Sequence, residues 1–311
     1  MILSVSRRTD IPAFYSEWFF NRLNENYLCI RNPMNVHQIR KITSLSPYTI
    51  DCIIFWSKNP APMIKRLHEL ERYKYYFQFT LNDYGSEIEP NVPSLDERIN
   101  TFKRLGESLN DRKKIVWRYD PIFFSEKYSL DFHVNTFRRL SGILSDFTDT
   151  CVISFLDKYK NISYDMRRLG IEDDNEEKQR ELAEKFVSIA KECDIQIKTC
   201  AEKINLSEFG IEHSSCIDQE RIEAITGYKL SVNKDKNQRQ ECGCYESIDI
   251  GAYDTCRHGC IYCYAIRRKN NMSGECRIDS PVLCGEINED DKIKEERAES
   301  LRERQKSIFD S

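Results

Sequence analysis

The chain has 311 residues, 40% of them hydrophobic and 11% aromatic, enough apolar side chain for a sizeable core. Its 47 basic and 51 acidic side chains leave a formal net charge of -4, which speaks against a nucleic-acid partner held by bulk electrostatics. No apolar run approaches the ~18 residues of a membrane span, and the polar residues after Arg7-Arg8 break any export signal; the expectation is a cytoplasmic protein with no membrane partner.

Short β-branched or aromatic runs recur along the chain at 2–5, 27–30, 51–56, 75–80, 114–118, 151–155 and 195–199, with a weaker eighth at 247–250. Continuous runs of this length read as buried parallel strands. Between them lie stripes at helical spacing: Met63, Ile64, Leu67 and Leu70; Leu95, Ile99, Phe102, Leu105 and Leu109; Val134, Phe137, Leu140 and Leu144; Leu182, Phe186 and Ile189. No phosphate loop of the GxGxxG or GxxxxGK[ST] kind is present. The alternation predicts an α/β fold over 1–284, a (β/α)8 TIM-type barrel rather than the alternative, an open doubly wound sheet that usually announces such a loop, with the cysteine-rich loop 242–265 inside it. Residues 285–311, nine acidic and six basic, predict a charged tail or surface helix.

Polar residues follow the strand runs at 6–10, 31–33, 57–60, 82–84, 118–121, 157–159 and 200–202. In a barrel these share one rim, where active sites are built. Arg7, Arg8, Asp10, Lys58, Arg118, Asp120 and Glu202 are the candidates there for contact with a cofactor or substrate. Arg118 and Asp120, two apart, can equally position one another. The mixture of Arg, Lys, Tyr and Trp suits a small polar or nucleotide-bearing substrate. Asp120 and Glu202 would also serve a metal-independent hydrolase or lyase as acid and base.

The 13 cysteines are unevenly placed: Cys242, Cys244, Cys256, Cys260 and Cys263 fall within 22 positions. In a reducing compartment such a density reads as metal ligands before disulfides. The sharpest signal is Cys256-Arg257-His258-Gly259-Cys260-Ile261-Tyr262-Cys263. Three thiolates at CxxxCxxC can hold three irons of a 4Fe-4S cube and leave the fourth open. His258 reads as a solvated loop residue, or one that shields the cluster. Cys200, Cys216, Cys242 and Cys244 form a second candidate site for an Fe–S cluster or tetrahedral zinc. Cys29, Cys52, Cys151 and Cys193 read as core or surface thiols, and Cys276 and Cys284 as unrelated.

The motif, with aromatic Tyr262 before its last cysteine, resembles the signature of the radical S-adenosylmethionine (SAM) superfamily. That resemblance implies cluster ligation by Cys256, Cys260 and Cys263, with Tyr262 at the cofactor. It implies SAM chelated at the open iron, reductive SAM cleavage starting radical chemistry, and an electron donor of flavodoxin or ferredoxin type. The superfamily places this loop after its first strand; here it follows the last, as in a circularly permuted barrel. Residues 2–5 would then lie beside 247–250, and loop 6–10 would stand where the superfamily often has a Gly-Gly-Glu, which this sequence lacks. Over about 1–265 the chain also resembles a bacterial family of unknown function, through 6–12, 55–60, 117–122, 199–202 and 249–253. The competing expectation is a non-catalytic zinc or Fe–S protein that binds nucleic acid or a protein partner.

Overall fold

In a computed structural model of the chain, residues 1–157, 162–239, 241–266 and 274–303 are described. The strands are β1 (Ile2–Val5), β2 (Tyr27–Arg31), β3 (Gln38–Thr43), β4 (Cys52–Ser57), β5 (Tyr75–Thr80), β6 (Ile115–Ile122), β7 (Thr150–Phe155), β8 (Gln196–Cys200), β9 (Glu212–Ser214), β10 (Ile248–Asp249) and β11 (Lys292–Arg297). The α-helices are α1 (Ile11–Phe14), α2 (Ser16–Asn24), α3 (Ala61–Ile64), α4 (Leu95–Leu109), α5 (Leu130–Leu144), α6 (Ser163–Arg168), α7 (Glu176–Glu192) and α8 (Gln219–Thr226).

Eight strands form one parallel sheet in the order β10-β1-β4-β5-β6-β7-β8-β9. The sheet is open and Rossmann-like. The predicted barrel, permuted or not, does not form, because closure requires the two edge strands to pair. Here the edges are β10, two residues long, and β9, three residues long, and among the described residues no ladder joins them. The run at 27–30 is also lost to the main sheet: β2 pairs antiparallel with β3, which pairs parallel with β11. The expected adjacency of the first and last runs survives without closure, since Leu3 and Ser4 stand in register with Ile248 and Asp249.

Each central strand presents alternate side chains to two faces. Leu3, Phe55, Phe77, Trp117 and Ile153 face one core, with the apolar stripes of α4, α5 and α7. There Phe137 stacks on Phe186 at 3.9 Å and on Trp117 at 5.0 Å between ring centroids. Ile2, Ile54, Tyr76, Val116 and Val152 face the other, covered by Ile217, Ile222, Leu230 and Cys244. That chain segment, rather than a closing strand, shields the second face. The stripe from Met63 to Leu70 does not make one helix: α3 ends at Ile64 and a 3-10 turn takes Leu67–Leu70.

The tail is not a helix where it is described. β11 lies along β3, with Arg40 and Lys41 paired to Glu296 at 2.9 Å and Glu295 at 3.3 Å. Two of its acidic residues therefore serve cross-strand pairing. Residues 304–311 of the predicted tail, and Lys158 and Tyr159, lie outside the described residues. Cys276 and Cys284 form a disulfide, with Cα atoms 4.1 Å apart. The sequence separation of eight hid a turn that brings Gly274 against Gly285.

His133 on α5 is fully buried. Its Nε2 donates to the Phe123 carbonyl at 2.8 Å, so Nδ1 accepts from the Tyr119 hydroxyl at 2.9 Å. Burial pushes its pKa down to about 4. The unfolded chain therefore binds this proton first, and stability is expected to fall by about 3 kcal/mol as pH drops from about 6.5 toward 4. Urea midpoints at pH 7.5 and 4.5 measure this; His133→Gln should flatten the slope, and an unchanged slope refutes the assignment.

Candidate functional site

The carboxyl ends of β1, β4, β6, β7 and β8 open on a cavity of about 520 Å³. Ligands of open α/β sheets bind at this end. Above the apolar layer on the second face sits a polar one: Ser4, Trp56, Gln78, Arg118, Ser154 and Cys200, one from each strand. Trp56 Nε1 donates to Ser4 Oγ at 3.1 Å, and the Arg118 guanidinium lies 5.4 Å from the Trp56 ring.

Asp249, at the end of edge strand β10, organises the loop after β1. Its carboxylate accepts from Ser4 Oγ at 2.9 Å, Ser6 Oγ at 2.7 Å, Arg7 N at 2.8 Å and Gly251 N at 3.0 Å. A Cβ on Gly251 would lie 1.9 Å from Ser6 Oγ, so only glycine permits this approach. Arg8 places its guanidinium 5.2 Å from the Tyr253 ring and 3.5 Å from the Gly251 carbonyl, and has no carboxylate partner among the described residues. Arg7 is within 3.8 Å of both Asp235 and Asp249.

The cysteine motif follows directly and is held on two sides. Residues 88–91 support its backbone: Ile261 N donates to Ile88 O at 3.0 Å, Asn91 N to His258 O at 3.1 Å, and Asn91 Nδ2 to Arg257 O at 2.9 Å. Gly259 turns the chain with φ 70°, in the left-handed region. On the other side His258 Nε2 donates to Asp10 at 2.8 Å, and Asp10 also accepts from Ser57 Oγ and the Lys58 amide, both at 2.7 Å. Burial alone would raise the Asp10 carboxyl; these donors outweigh it and hold it below the usual range. His258 is thus not a solvated loop residue: it is 2% exposed and clamps the motif to loop 6–10.

Cys256, Cys260 and Cys263 all line the cavity. Burial pushes the Cys256 thiol up to about 12 and raises the other two. Cys263 adds to the shift at Cys256, and both add to that at Cys260, so the three feel one another. The backbone amides of His258 and Asp10 beside Cys256, and of Ala265 and Ile266 beside Cys263, work against that rise. Half-buried thiols beside backbone amides suit thiolates whose charge a metal neutralises.

Glu89 was not visible from its residue type alone. It is 2% exposed and accepts from Lys58 Nζ at 2.8 Å and from the Tyr262 hydroxyl, with Arg98 Nη1 3.7 Å away. Burial alone would raise its carboxyl, but the two cations and Tyr262 hold it below the usual range. Lys58 also lies 5.6 Å from the Tyr262 ring. Lys58 and Tyr262, expected at a cofactor, are therefore braced from behind by this buried carboxylate while lining the cavity.

The second cysteine set also converges. Cys200 Sγ is 2.6 Å from Cys216 Sγ, and Cys244 is close enough to both Cys216 and Cys242 to shift their thiols. Arg118 Nη1 donates to Cys216 Sγ at 2.9 Å while its Nε donates to Asp120 at 3.0 Å. Arg118 and Asp120 thus position one another, as their spacing allowed. Glu202 is not at the cavity wall; it accepts from Phe155 N at 2.8 Å, and burial above all pushes it up to about 7. Asp120 and Glu202 are each held by protein partners. Asp249, Glu89, Gln78 and Ser154 escaped the sequence reading. The signal available was a polar residue at every second place near the strand ends, in Ser4, Gln78, Arg118 and Ser154.

Fold and site together define an open parallel α/β protein with a cysteine-lined cavity at the carboxyl ends of its strands. The chain belongs to the family described as Domain of unknown function (DUF1848), whose sequence model matches residues 2–265 and so ends just after the cysteine motif. No curated protein and no solved structure matches the chain. Among the described residues no helix is long and apolar enough to cross a membrane.

Proposed function

We propose that this protein is an iron–sulfur enzyme of radical SAM type, with Cys256, Cys260 and Cys263 as ligands of a 4Fe-4S cluster at the cavity wall. The observation that carries the reading is that three thiols of the motif, one buried and two half-buried, share one cavity of about 520 Å³ with Arg8, whose guanidinium has no carboxylate partner among the described residues. That volume suits a small-molecule or nucleotide-bearing ligand. Zinc would draw thiolate sulfurs to about 3.8 Å of one another, from its Zn–S bond of about 2.3 Å. Among the described residues only His37, Asp290 and Asp291 bring three ligand atoms within 4.8 Å of one another, so the motif sulfurs are spread more widely than a zinc site needs. A three-cysteine cluster, when bound and reduced, supplies the electron for cleavage of SAM.

The chain's own residues then have distinct parts. Asp10 and His258 fix the motif loop, the amides of Asp10, His258, Ala265 and Ile266 stabilise thiolate charge, and Lys58 with Glu89 locks the Tyr262 ring. Arg8 takes a ligand carboxylate or phosphate. A donor of flavodoxin or ferredoxin type completes the system. Anaerobic preparation should yield a brown protein with iron and acid-labile sulfide that cleaves SAM on reduction with dithionite. A colourless preparation holding zinc and no iron overturns the reading. Arg8→Ala should weaken SAM binding by about 10–100-fold, the worth of a charge-assisted hydrogen bond, without lowering the iron content; calorimetry on both proteins checks it, and equal affinity removes Arg8 from the site.

A further inference from the structure

We infer that Cys200, Cys216, Cys242 and Cys244 hold a second metal centre, a polynuclear iron–sulfur cluster, across the same cavity. Four thiols from three separate segments meet there: Cys200 ends β8, Cys216 follows β9, and Cys242 and Cys244 come from the loop before β10. Each segment is anchored so that its sulfur is presented. The Cys216 carbonyl accepts from the Tyr76 hydroxyl at 2.8 Å and from Gln78 Nε2 at 2.9 Å, the Cys244 carbonyl accepts from Asp235 N at 2.9 Å, and Tyr245 N donates to the Ile217 carbonyl at 3.3 Å.

Ordinary core packing does not account for Arg118. The residue is 7% exposed, yet one guanidinium nitrogen donates to Cys216 Sγ at 2.9 Å. A neutral thiol is a weak acceptor, whereas a metal-bound thiolate is a strong one. Arg118 and, behind it, Arg7 supply positive charge facing a thiolate-rich centre of net negative charge. Arrangement argues for more than one metal ion. The Cys200 and Cys216 sulfurs stand 2.6 Å apart, yet no three of the four lie within 4.8 Å of one another among the described residues. A single zinc requires a compact tetrahedron; a cluster spans a wider ligand set. All four sulfurs line the cavity that Cys256, Cys260 and Cys263 also line, so a bound ligand lies between the two centres.

This inference stands apart from the reading of the CxxxCxxC motif, and the test separates them. The full chain carrying Cys256→Ala, Cys260→Ala and Cys263→Ala, prepared anaerobically, should keep roughly 2–4 iron atoms and as many sulfides per chain, the content of one cluster held by four cysteines. Its Mössbauer spectrum should show thiolate-ligated iron. Adding Cys200→Ser and Cys216→Ser should remove that iron, with circular dichroism confirming that the chain stays folded. In the otherwise native chain, Cys242→Ser with Cys244→Ser should lower iron by the same amount. Equal iron in the wild type and the triple variant sinks the motif reading and leaves this one standing. A triple variant with no iron, with one zinc, or with these four cysteines oxidised and metal-free overturns the second centre.

Discussion

A chain with Cys256, Cys260 and Cys263 all replaced by alanine is expected to lose reductive SAM cleavage to the uncatalysed background. The expectation rests on three thiols of the motif, Cys260 buried and Cys256 and Cys263 half-buried, sharing one cavity wall. The other four cysteines of the cavity, Cys200, Cys216, Cys242 and Cys244, belong to separate segments and do not repeat the CxxxCxxC spacing, so they are not expected to take over this role. Single replacements should act nearly as strongly, since a cluster that loses one of three ligands loses its hold. Asp10→Asn is the graded companion. It keeps the shape but removes a carboxylate that orients His258, and partners of that kind are worth about 10–100-fold in metal affinity. Product formation by chromatography, set beside iron and sulfide content, measures both. A triple variant that still cleaves SAM places the chemistry elsewhere.

Glu89→Ala should be the most damaging single substitution for stability, at about 3–5 kcal/mol. Removing this carboxylate leaves Lys58 and Arg98 as buried cations facing each other without a counter-charge, and strips the Tyr262 hydroxyl of its acceptor. Arg98 is 2% exposed, so water cannot replace its lost partner, whereas Lys58, 14% exposed at the cavity wall, is only partly compensated. Denaturant unfolding of the metal-free chain checks the size of the loss. Glu89→Gln, which retains an acceptor but not the charge, should fall between wild type and alanine. A loss below about 1 kcal/mol, the level of an exposed ion pair, would show that the three charges are not coupled as their geometry indicates.

Much of the fold was legible because its units are local. The strand run at 75–80 is β5 to the residue, and the stripe from Leu95 to Leu109 coincides with α4, opened by a Ser94–Glu97 capping box. Where a run carried no partner information, the reading failed. Residues 27–30 have the composition of a central strand, yet β2 belongs to the small sheet. Strands β3, with Arg40 and Lys41, and β11, charged at all but Ile293, look like surface until they pair with each other. The barrel was inferred from counting units, but unit count does not say whether edge strands are long enough to close.

The cysteine motif was readable from spacing alone, since three ligands on eight consecutive residues need no other part of the chain. The adjacency of 2–5 and 247–250 was reached through the resemblance and holds in the open sheet. Glu89, His258 and Asp249 gained their roles only in three dimensions. A buried carboxylate and a solvated one are the same letter, and what separates them is which cations and amides the fold brings within about 3 Å. The sequence by itself determined the elements and the motif, because helix and strand periodicity and ligand spacing act over a few residues. Only the tertiary structure decided that the sheet stays open, that seven cysteines line one cavity, and which charges there are spoken for. Those outcomes depend on contacts between segments far apart in the chain, whose closeness no local pattern encodes.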